Sequence, residues 1–431
     1  MLKINPLSTL YVGIDVSSKS NYVCALDFFK NKYINSSFAN NQPGAEELAL
    51  KILECLNQHP DLTMVVAALE STSVYSIHIA NYLSSCEELM RFKPYVFVLN
   101  PKCTANYKKS YIGLGKSDPI DAFVIADYAR AGNIESEPWR GSQFLALKRL
   151  TRHRLHLVEC MTREKTYLIS NLYLKFSELQ MLEGDDQPFC DIYGATSSSV
   201  LMEYFSPEEI LDSSEEDLIA FFAKKSRNRI KDISKTADLL KKAARDSYRL
   251  DKALYEPLNV SIASSFNCIE TFKREIKVID NAIEKEIKGL NPNAFIILQS
   301  IDGIGPVFAG GIIAEIGDIT AFHSSDALAK YAGLTWKSNQ SGAFDGEDTP
   351  MIKAGNRYLR YYLGEAANSM RKHNVEYGTY YRKKYNEVPK HQHKRALALT
   401  SRKFVRLVYG LLARNQLYSG VSLDTSIKDS N

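Results

Sequence analysis

The chain predicts an α/β domain, then a region of long helices, then a mostly α C-terminal domain, and three observations carry that order. Apolar strands alternate with helical stretches over residues 1–140, the signature of α/β architecture. From Leu145 the apolar residues recur instead at three, four or seven positions, which is helical spacing. Past residue 290 comes LQSIDGIGPVFAGGIIAEIG, a glycine turn between apolar helices, followed by a strongly basic run. The expected domains are therefore 1–140, 141–290 and 291–418, with a polar, disordered tail over 419–431.

In the first domain Leu10–Val16 reads as a strand, Ser17–Asn21 as a turn and Tyr22–Leu26 as the returning strand of a hairpin. Met64–Ala68 is a further apolar strand ending at Glu70, and a helical stretch runs from Val74 to Leu83. Pro94–Leu99 is another strand, closed by Asn100-Pro101, and a helix follows from Pro119 to Ala131. In the middle, Leu147, Leu150, Leu157, Met161 and Leu168 mark one long helix; Ile269, Phe272, Ile276, Ile279, Ile283 and Leu290 mark a second. Joined by a polar insert over 183–265, they read as an antiparallel coiled coil or a dimerisation stalk. Two helices of an ordinary bundle would show the same spacing. The glycine turn at Gly303 and Gly305 predicts a helix-hairpin-helix, in which backbone N–H groups approach a phosphate closely. A plain turn with glycine caps is the alternative.

Composition excludes several classes. The seven cysteines are scattered, with no CxxC pair, which argues against zinc ribbons and a disulfide framework and fits a reducing cytoplasm. No apolar run reaches the roughly 18 residues of a membrane span, and the N-terminus lacks a signal-peptide core, so no membrane association is expected. The net charge of +4 hides an asymmetry: Lys353–Arg414 holds 15 basic and 3 acidic residues. Such an excess points to a polyanion partner. There, Arg357, Arg360 and Arg371 flank a helix whose other face carries Leu359, Leu363, Ala366 and Met370. Arg382, Lys383 and Lys384 interleave with Tyr380, Tyr381 and Tyr385, a mix suited to phosphates and stacked bases. A second acid-free patch, Lys102, Lys108, Lys109 and Lys116 with Tyr107 and Tyr111, leads into Asp118. For any single one of these residues, an exposed basic helix end is an equally good account.

Four acids stand out against their apolar surroundings. Asp15 and Glu70 end strands, while Asp118 and Asp121 lie three apart at the start of a helix, on one face. Acids from separate elements in this order match an RNase H-like layout. Four converging carboxylates would repel one another and raise their pKa values. Divalent metal removes that problem, and hard oxygen ligands suit Mg²⁺, two ions roughly 4 Å apart acting on a phosphodiester. Each acid alone is more often a surface residue, and Asp118 and Asp121 would also favour a helix N-terminus. An ATPase-type phosphate hairpin around Asp15 is disfavoured, because SSKSN supplies no glycine.

The succession GIDVS, ALEST, KSDPIDA, GIGP, YAGL, a Ser-Gly pair and KAGNRYLR resembles the DEDD transposases of the insertion-sequence 110 family. The resemblance covers most of the chain and is weakest over 183–265. It implies a RuvC-like N-terminal domain joined through a coiled coil to a C-terminal transposase domain. It implies that Asp15, Glu70, Asp118 and Asp121 are catalytic, Mg²⁺-binding acids. It also implies that Ser341, in KSNQSGAFDG, attacks the DNA phosphate and holds the cut strand as a phosphoserine ester, with Ser338 in reserve. Further implied are donor and target DNA, a non-coding bridge RNA that pairs with both, a homodimer or homotetramer, and a place in the bacterial cytoplasm at the nucleoid. One departure is that Asp345, Glu347 and Asp348 follow the Ser-Gly pair, where many relatives carry basic residues. The expectation is thus a recombinase that excises and inserts its own element. A RuvC-like nuclease such as a junction resolvase, with water attacking, is the runner-up. A binding scaffold with a dead acidic site is opposed by the four intact acids.

Overall fold

The computed structural model describes residues 4–134, 138–139, 141–336, 340–341, 344–345 and 350–420. Five strands form the N-terminal sheet: β1 (Thr9–Val16), β2 (Ser20–Leu26), β3 (Lys32–Ala39), β4 (Met64–Glu70) and β5 (Tyr95–Leu99). Their order is β3-β2-β1-β4-β5; the first three pair antiparallel, while β4 and β5 join in parallel. With α1 (Gln42–Gln58), α2 (Tyr75–Ser85), α3 (Pro101–Lys108) and α4 (Asp118–Arg130), this is the RNase H-like arrangement the sequence predicts. β1 is apolar from Leu10 to Ile14 because both its faces are covered there. Leu10, Val12, Ile14 and Val16 share a core with Leu48, Ile52 and Ile79 of α1 and α2. Tyr11, Val66 and Ala68 pack on the other side with Ala122, Ile125 and Ala126 of α4.

β3 and α1 were not among the predicted elements. β3 is an edge strand in which only Ile34 and Phe38 are buried, so it carries little apolar signal. α1 is started by the Asn41 side chain, which accepts from the Gly44 N–H, with a proline in the first turn.

Gly13 fixes where α4 lies. A Cβ there would sit 2.2 Å from the Ala122 carbonyl oxygen and 2.3 Å from the Ala126 nitrogen, so the helix backbone rests directly on the strand. Gly13→Ala is expected to cost about 3 kcal/mol, seen as a lower urea midpoint for loss of the sheet. An unchanged midpoint would contradict this seating.

The chain divides into two compact units, one of 1–148, 290–304 and 311–431, the other of 149–289 with 305–310. The second is built on α5 (Ser142–Lys175) and α10 (Lys252–Leu290). Arg154 bonds Asp280 at 2.5 Å, and Lys175 bonds Asn259 at 2.5 Å. As α5 advances from Arg154 to Lys175, its partner recedes by the same number of residues, so the helices run antiparallel in one register. The 183–265 region is more than a polar insert. Four helices, α6 (Ala195–Glu203), α7 (Pro207–Asp212), α8 (Glu215–Ser226) and α9 (Ile233–Asp246), bury Val200, Ile210, Phe222 and Leu240 in one core with Leu168, Leu172 and Phe266. Its last residues already belong to α10. The Lys175 ammonium, in that core, donates to the Leu201 and Tyr204 carbonyls, and burial pushes its pKa down to about 8.

The C-terminal part is mostly α, with two short ribbons. It comprises α11 (Pro292–Gln299), α12 (Pro306–Ile316), α13 (Ser325–Ala332), β6 (Thr335–Trp336), β7 (Gln340–Ser341), β8 (Phe344–Asp345), β9 (Met351–Ile352), α14 (Arg357–His373), α15 (Val375–Asn386) and α16 (Gln392–Arg414). β6 pairs with β9 and β7 with β8, both antiparallel. α11, its glycine turn and α12 occupy the place of the predicted helix-hairpin-helix. Leu359, Leu363, Ala366 and Met370 are buried in α14, as the helical spacing predicts. Among the described residues no helix is long and apolar enough to cross a membrane.

Candidate active site

β1 and β4 run in parallel with Ile14 opposite Leu69, so one step further Asp15 and Glu70 stand side by side where the strands end. α4, seated on Gly13, starts at Asp118 and brings its acidic first turn to the same place. The convergence is visible in the Asp15 carboxyl, whose pKa is pushed up to about 6. Burial is the main cause, followed by the charges of Asp121, Asp118 and Glu70, with Lys108 opposing them. The structure thus brings Glu70, Asp118 and Asp121 within electrostatic reach of Asp15.

α3 lies against this cluster. The Thr104 hydroxyl donates to Glu70 Oε1 at 2.5 Å, and Lys108 Nζ meets Asp121 Oδ1 at 2.5 Å. Thr104 and Lys108 are one helical turn apart, so a single face of α3 serves both acids. Lys108, read from the sequence as a nucleic-acid contact, is in this arrangement a counter-charge to the cluster. Among the described residues, no three ligating side chains stand at spacing that would hold a metal ion as placed. The chemistry of the donor set nevertheless fits a hard divalent cation: four carboxylates, oxygen donors only, whose mutual repulsion shows in Asp15. Asp15, Glu70, Asp118 and Asp121 are the residues that would hold it.

Asp127 is a buried acid that sequence reasoning missed. Its carboxylate accepts from Tyr107 OH at 2.8 Å, from Tyr111 OH and from Arg130 Nε at 2.6 Å, and Lys30 Nζ lies 3.3 Å away. Burial alone would raise its pKa; the bonds from Tyr111, Arg130 and Tyr107 outweigh that and hold the carboxyl below the usual range. The two tyrosines therefore spend their hydroxyls anchoring the loop before α4. Its signal in the sequence was a lone acid in the apolar run AFVIADYA. Lys102, Lys109 and Lys116 of the same patch are exposed.

The other predicted site residues lie in the C-terminal part. Ser341 is in β7, opposite Phe344 in the register; its side chain lies outside the described residues, as do Ser338, Glu347 and Asp348. The hairpin that carries it has a tied neck. Arg360 Nη1 donates to the Ala332 carbonyl at 2.9 Å and to the Lys353 carbonyl at 3.1 Å, one on each side of the hairpin. Gly355 permits the close crossing, since a Cβ there would meet the Tyr331 carbonyl oxygen at 2.6 Å. Asn356 caps α14 through its Oδ1, and its Nδ2 donates to Glu315 Oε2 at 2.7 Å. Glu315, 2% exposed, is a second buried acid that the sequence reading passed over. The stretches YAGL and KAGNRYLR thus meet at the neck of the serine hairpin, and Arg360, read as a phosphate ligand, spends two donor bonds there.

The remaining candidates divide. Arg371 bonds Asn368 and lies 4.2 Å from the Tyr381 ring, and Lys384 pairs with Glu387 at 2.7 Å. Arg357, Arg382 and Lys383 are exposed. Gly303, with φ +81°, is required by helix packing: its carbonyl accepts from Ser369 Oγ at 2.7 Å, and a Cβ would meet His373 Nδ1 at 2.8 Å. Around Gly305 there is open space.

Comparison with known proteins follows the same division. A DEDD transposase profile of the IS110 type matches residues 12–177, which include all four acids. A profile of the IS116/IS110/IS902 transposase family matches 296–382, which include Glu315, Ser341 and the hairpin neck. The chain is 25% identical over 414 residues to the insertion element IS900 uncharacterized 42 kDa protein of Mycobacterium paratuberculosis, covering 95% of this chain and 97% of that protein. It is 24% identical to the insertion element IS116 uncharacterized 44.8 kDa protein of Streptomyces clavuligerus, covering 95% and 96%. Over 160 residues it is 26% identical to the pilin gene-inverting protein of Moraxella lacunata, covering 37% and 46%. The two profiles together span more than half of the chain, one on the acidic cluster and the other on the serine hairpin. Such a chain belongs to the IS110 family of DNA transposases and recombinases.

Proposed function

We propose that the protein cuts and rejoins the DNA of its own mobile element, with Mg²⁺ held by Asp15, Glu70, Asp118 and Asp121, Ser341 as nucleophile, and a bridge RNA as guide. The observation that carries this reading is the meeting of Asp15 and Glu70, at the ends of paired parallel strands, with the acidic first turn of α4, two of these acids being held by Thr104 and Lys108 of α3. Bound there, a divalent cation supplies neutralisation of the charge that builds on phosphodiester oxygens. Thr104 holds Glu70 in place, and Lys108 balances Asp121 at the edge of the cluster. Ser341 Oγ bonds to phosphorus as the bond from phosphorus to the sugar oxygen breaks; the serine proton passes to solvent and the departing sugar oxygen takes one from solvent, leaving as a hydroxyl. The ester keeps the bond energy, so a free sugar hydroxyl can later reverse the attack and seal a new junction. The domains act as 1–140 for the acids, 141–290 for assembly and 291–418 for the serine.

Two exposed basic surfaces support a second polyanion beside DNA: Lys102, Lys109 and Lys116 in one, Arg357, Arg382 and Lys383 in the other. The test of the whole reading is strand cleavage of an element-end duplex with the flanking transcript present. Cleavage should require Mg²⁺ and that transcript; undiminished cutting in excess chelator would contradict it. Affinity should fall steeply with salt, and neutralising Arg357, Arg382 and Lys383 together should reduce the log–log slope by about two to three. An unchanged slope would remove that surface from the contact.

Assembly as a homodimer or homotetramer is part of the same proposal, since joining two DNA partners leaves four strand ends and one chain offers one serine. α10 keeps an apolar face suited to a second copy. Ile269, Ile276 and Ile283 are buried, while Val260 is 67% and Val278 56% exposed, and Phe272 lines an open groove with Val260 and Cys268. Light scattering on the RNA–DNA complex should show at least two chains. A cleavage-competent monomer would refute it.

A further inference from the structure

We infer that the loop between α3 and α4 is an apolar wedge, with Ile112 at its tip, that enters between the base pairs of the DNA handled by the acidic cluster. Ile112 is fully exposed, at 102%, and Leu114 is 37% exposed. Single exposed apolar residues are common and need no explanation; this one stands on a rigid mount. Tyr111, its neighbour, and Tyr107 both bond the buried Asp127, and their rings meet edge to face at 5.8 Å. Ser110 Oγ closes the turn on the Tyr107 carbonyl at 2.7 Å. The base of the loop, fixed next to Ile112, has little conformational freedom left to lose on insertion, which favours binding. The neighbouring β2–β3 turn is tied to the same carboxylate through Lys30 and exposes Phe29 at 72%. One buried acid thus steadies two apolar tips.

The chemistry around the tip favours DNA over a protein surface. Residues 89–117 contain no Asp or Glu, while Lys109 and Lys116 stand exposed on either side of Ile112. Cations would hold the phosphates while the aliphatic side chain takes the place of a stacked base, which unstacks and kinks a duplex. The wedge also lies at a useful distance from the site. Lys108, four residues before Ile112 on the same segment, pairs with Asp121 of the cluster, so the loop that carries the tip begins beside the acids.

This inference rests on the reading that the acidic cluster acts on DNA, and the experiment separates the two. The full-length chain is bound, with the flanking transcript and in EDTA, to a duplex carrying the element's end, and unstacked thymines are detected by permanganate. Wild type and Ile112→Leu should give reactive thymines beside the cleavage position. Ile112→Ser should lose at least about fivefold of that reactivity with binding unchanged, and cut about tenfold more slowly once Mg²⁺ is added. Reactivity unaltered in Ile112→Ser, or none in a wild-type complex that still cuts, overturns the wedge alone. A duplex neither bound nor cut overturns the site reading with it. If Ile112→Ser instead changes the mass of the DNA-free protein, the tip is a protein contact and the wedge is wrong.

Discussion

Asp15→Asn should abolish strand cleavage, by about 10³-fold or more, and at the same time make the metal-free protein more stable at neutral pH. Both effects come from one cause, a carboxylate whose charge is penalised first by burial and then by three neighbouring acids. An unfolded aspartate ionises near 3.8, the folded Asp15 near 6. Between those values the folded chain keeps a proton that the unfolded chain has released. Stability from this group is therefore fully present below 3.8, is lost as pH rises through 6, and stays lost above it. Because the group is only partly buried, solvent screening reduces the penalty to about 1–2 kcal/mol. In EDTA at pH 7 the asparagine variant should melt about 2–4 °C above wild type, and the gap should close by pH 4. Added Mg²⁺ should stabilise wild type and leave the variant unmoved, since only a bound ligand shifts the folding equilibrium. A variant that cuts normally, or melts lower than wild type in EDTA, would remove Asp15 from the cluster.

The sequence made much of this legible, for a physical reason. β1, β4 and β5 are covered on both faces, so they appear as unbroken apolar runs, and acids at their ends stand out. The α4 start was readable from Ser117 and Pro119 around two acids. β3, an exposed edge, was not; α1 was passed over although Ala45, Leu48, Ile52, Cys55 and Leu56 recur at helical spacing. The buried acids Asp127 and Glu315 were visible as misfits in apolar helices, but their partners are distant in sequence. Asp127 is satisfied by Tyr107 and Tyr111, and Glu315 by Asn356. Arg360 shows a different limit. A guanidinium offers the same N–H groups to a phosphate and to a carbonyl, and only the fold places it between Ala332 and Lys353. Gly13 was the missed opportunity, since a glycine inside an apolar strand signals close backbone approach.

In the proposed reaction Ser341 itself becomes joined to DNA, and trapping on a suicide substrate reads out that bond. A nick placed beside the cleavage position lets the released fragment diffuse away, so the reverse attack has no hydroxyl and the ester accumulates. Wild type should then carry a DNA adduct that survives denaturation and maps by peptide mass to Ser341. Ser341→Ala should bind RNA and DNA as wild type does, show no adduct, and lose recombination by about 10⁴-fold or more. Cleavage retained by the alanine variant without an adduct would assign the attack to water. Recombinant DNA made by that variant would contradict the account.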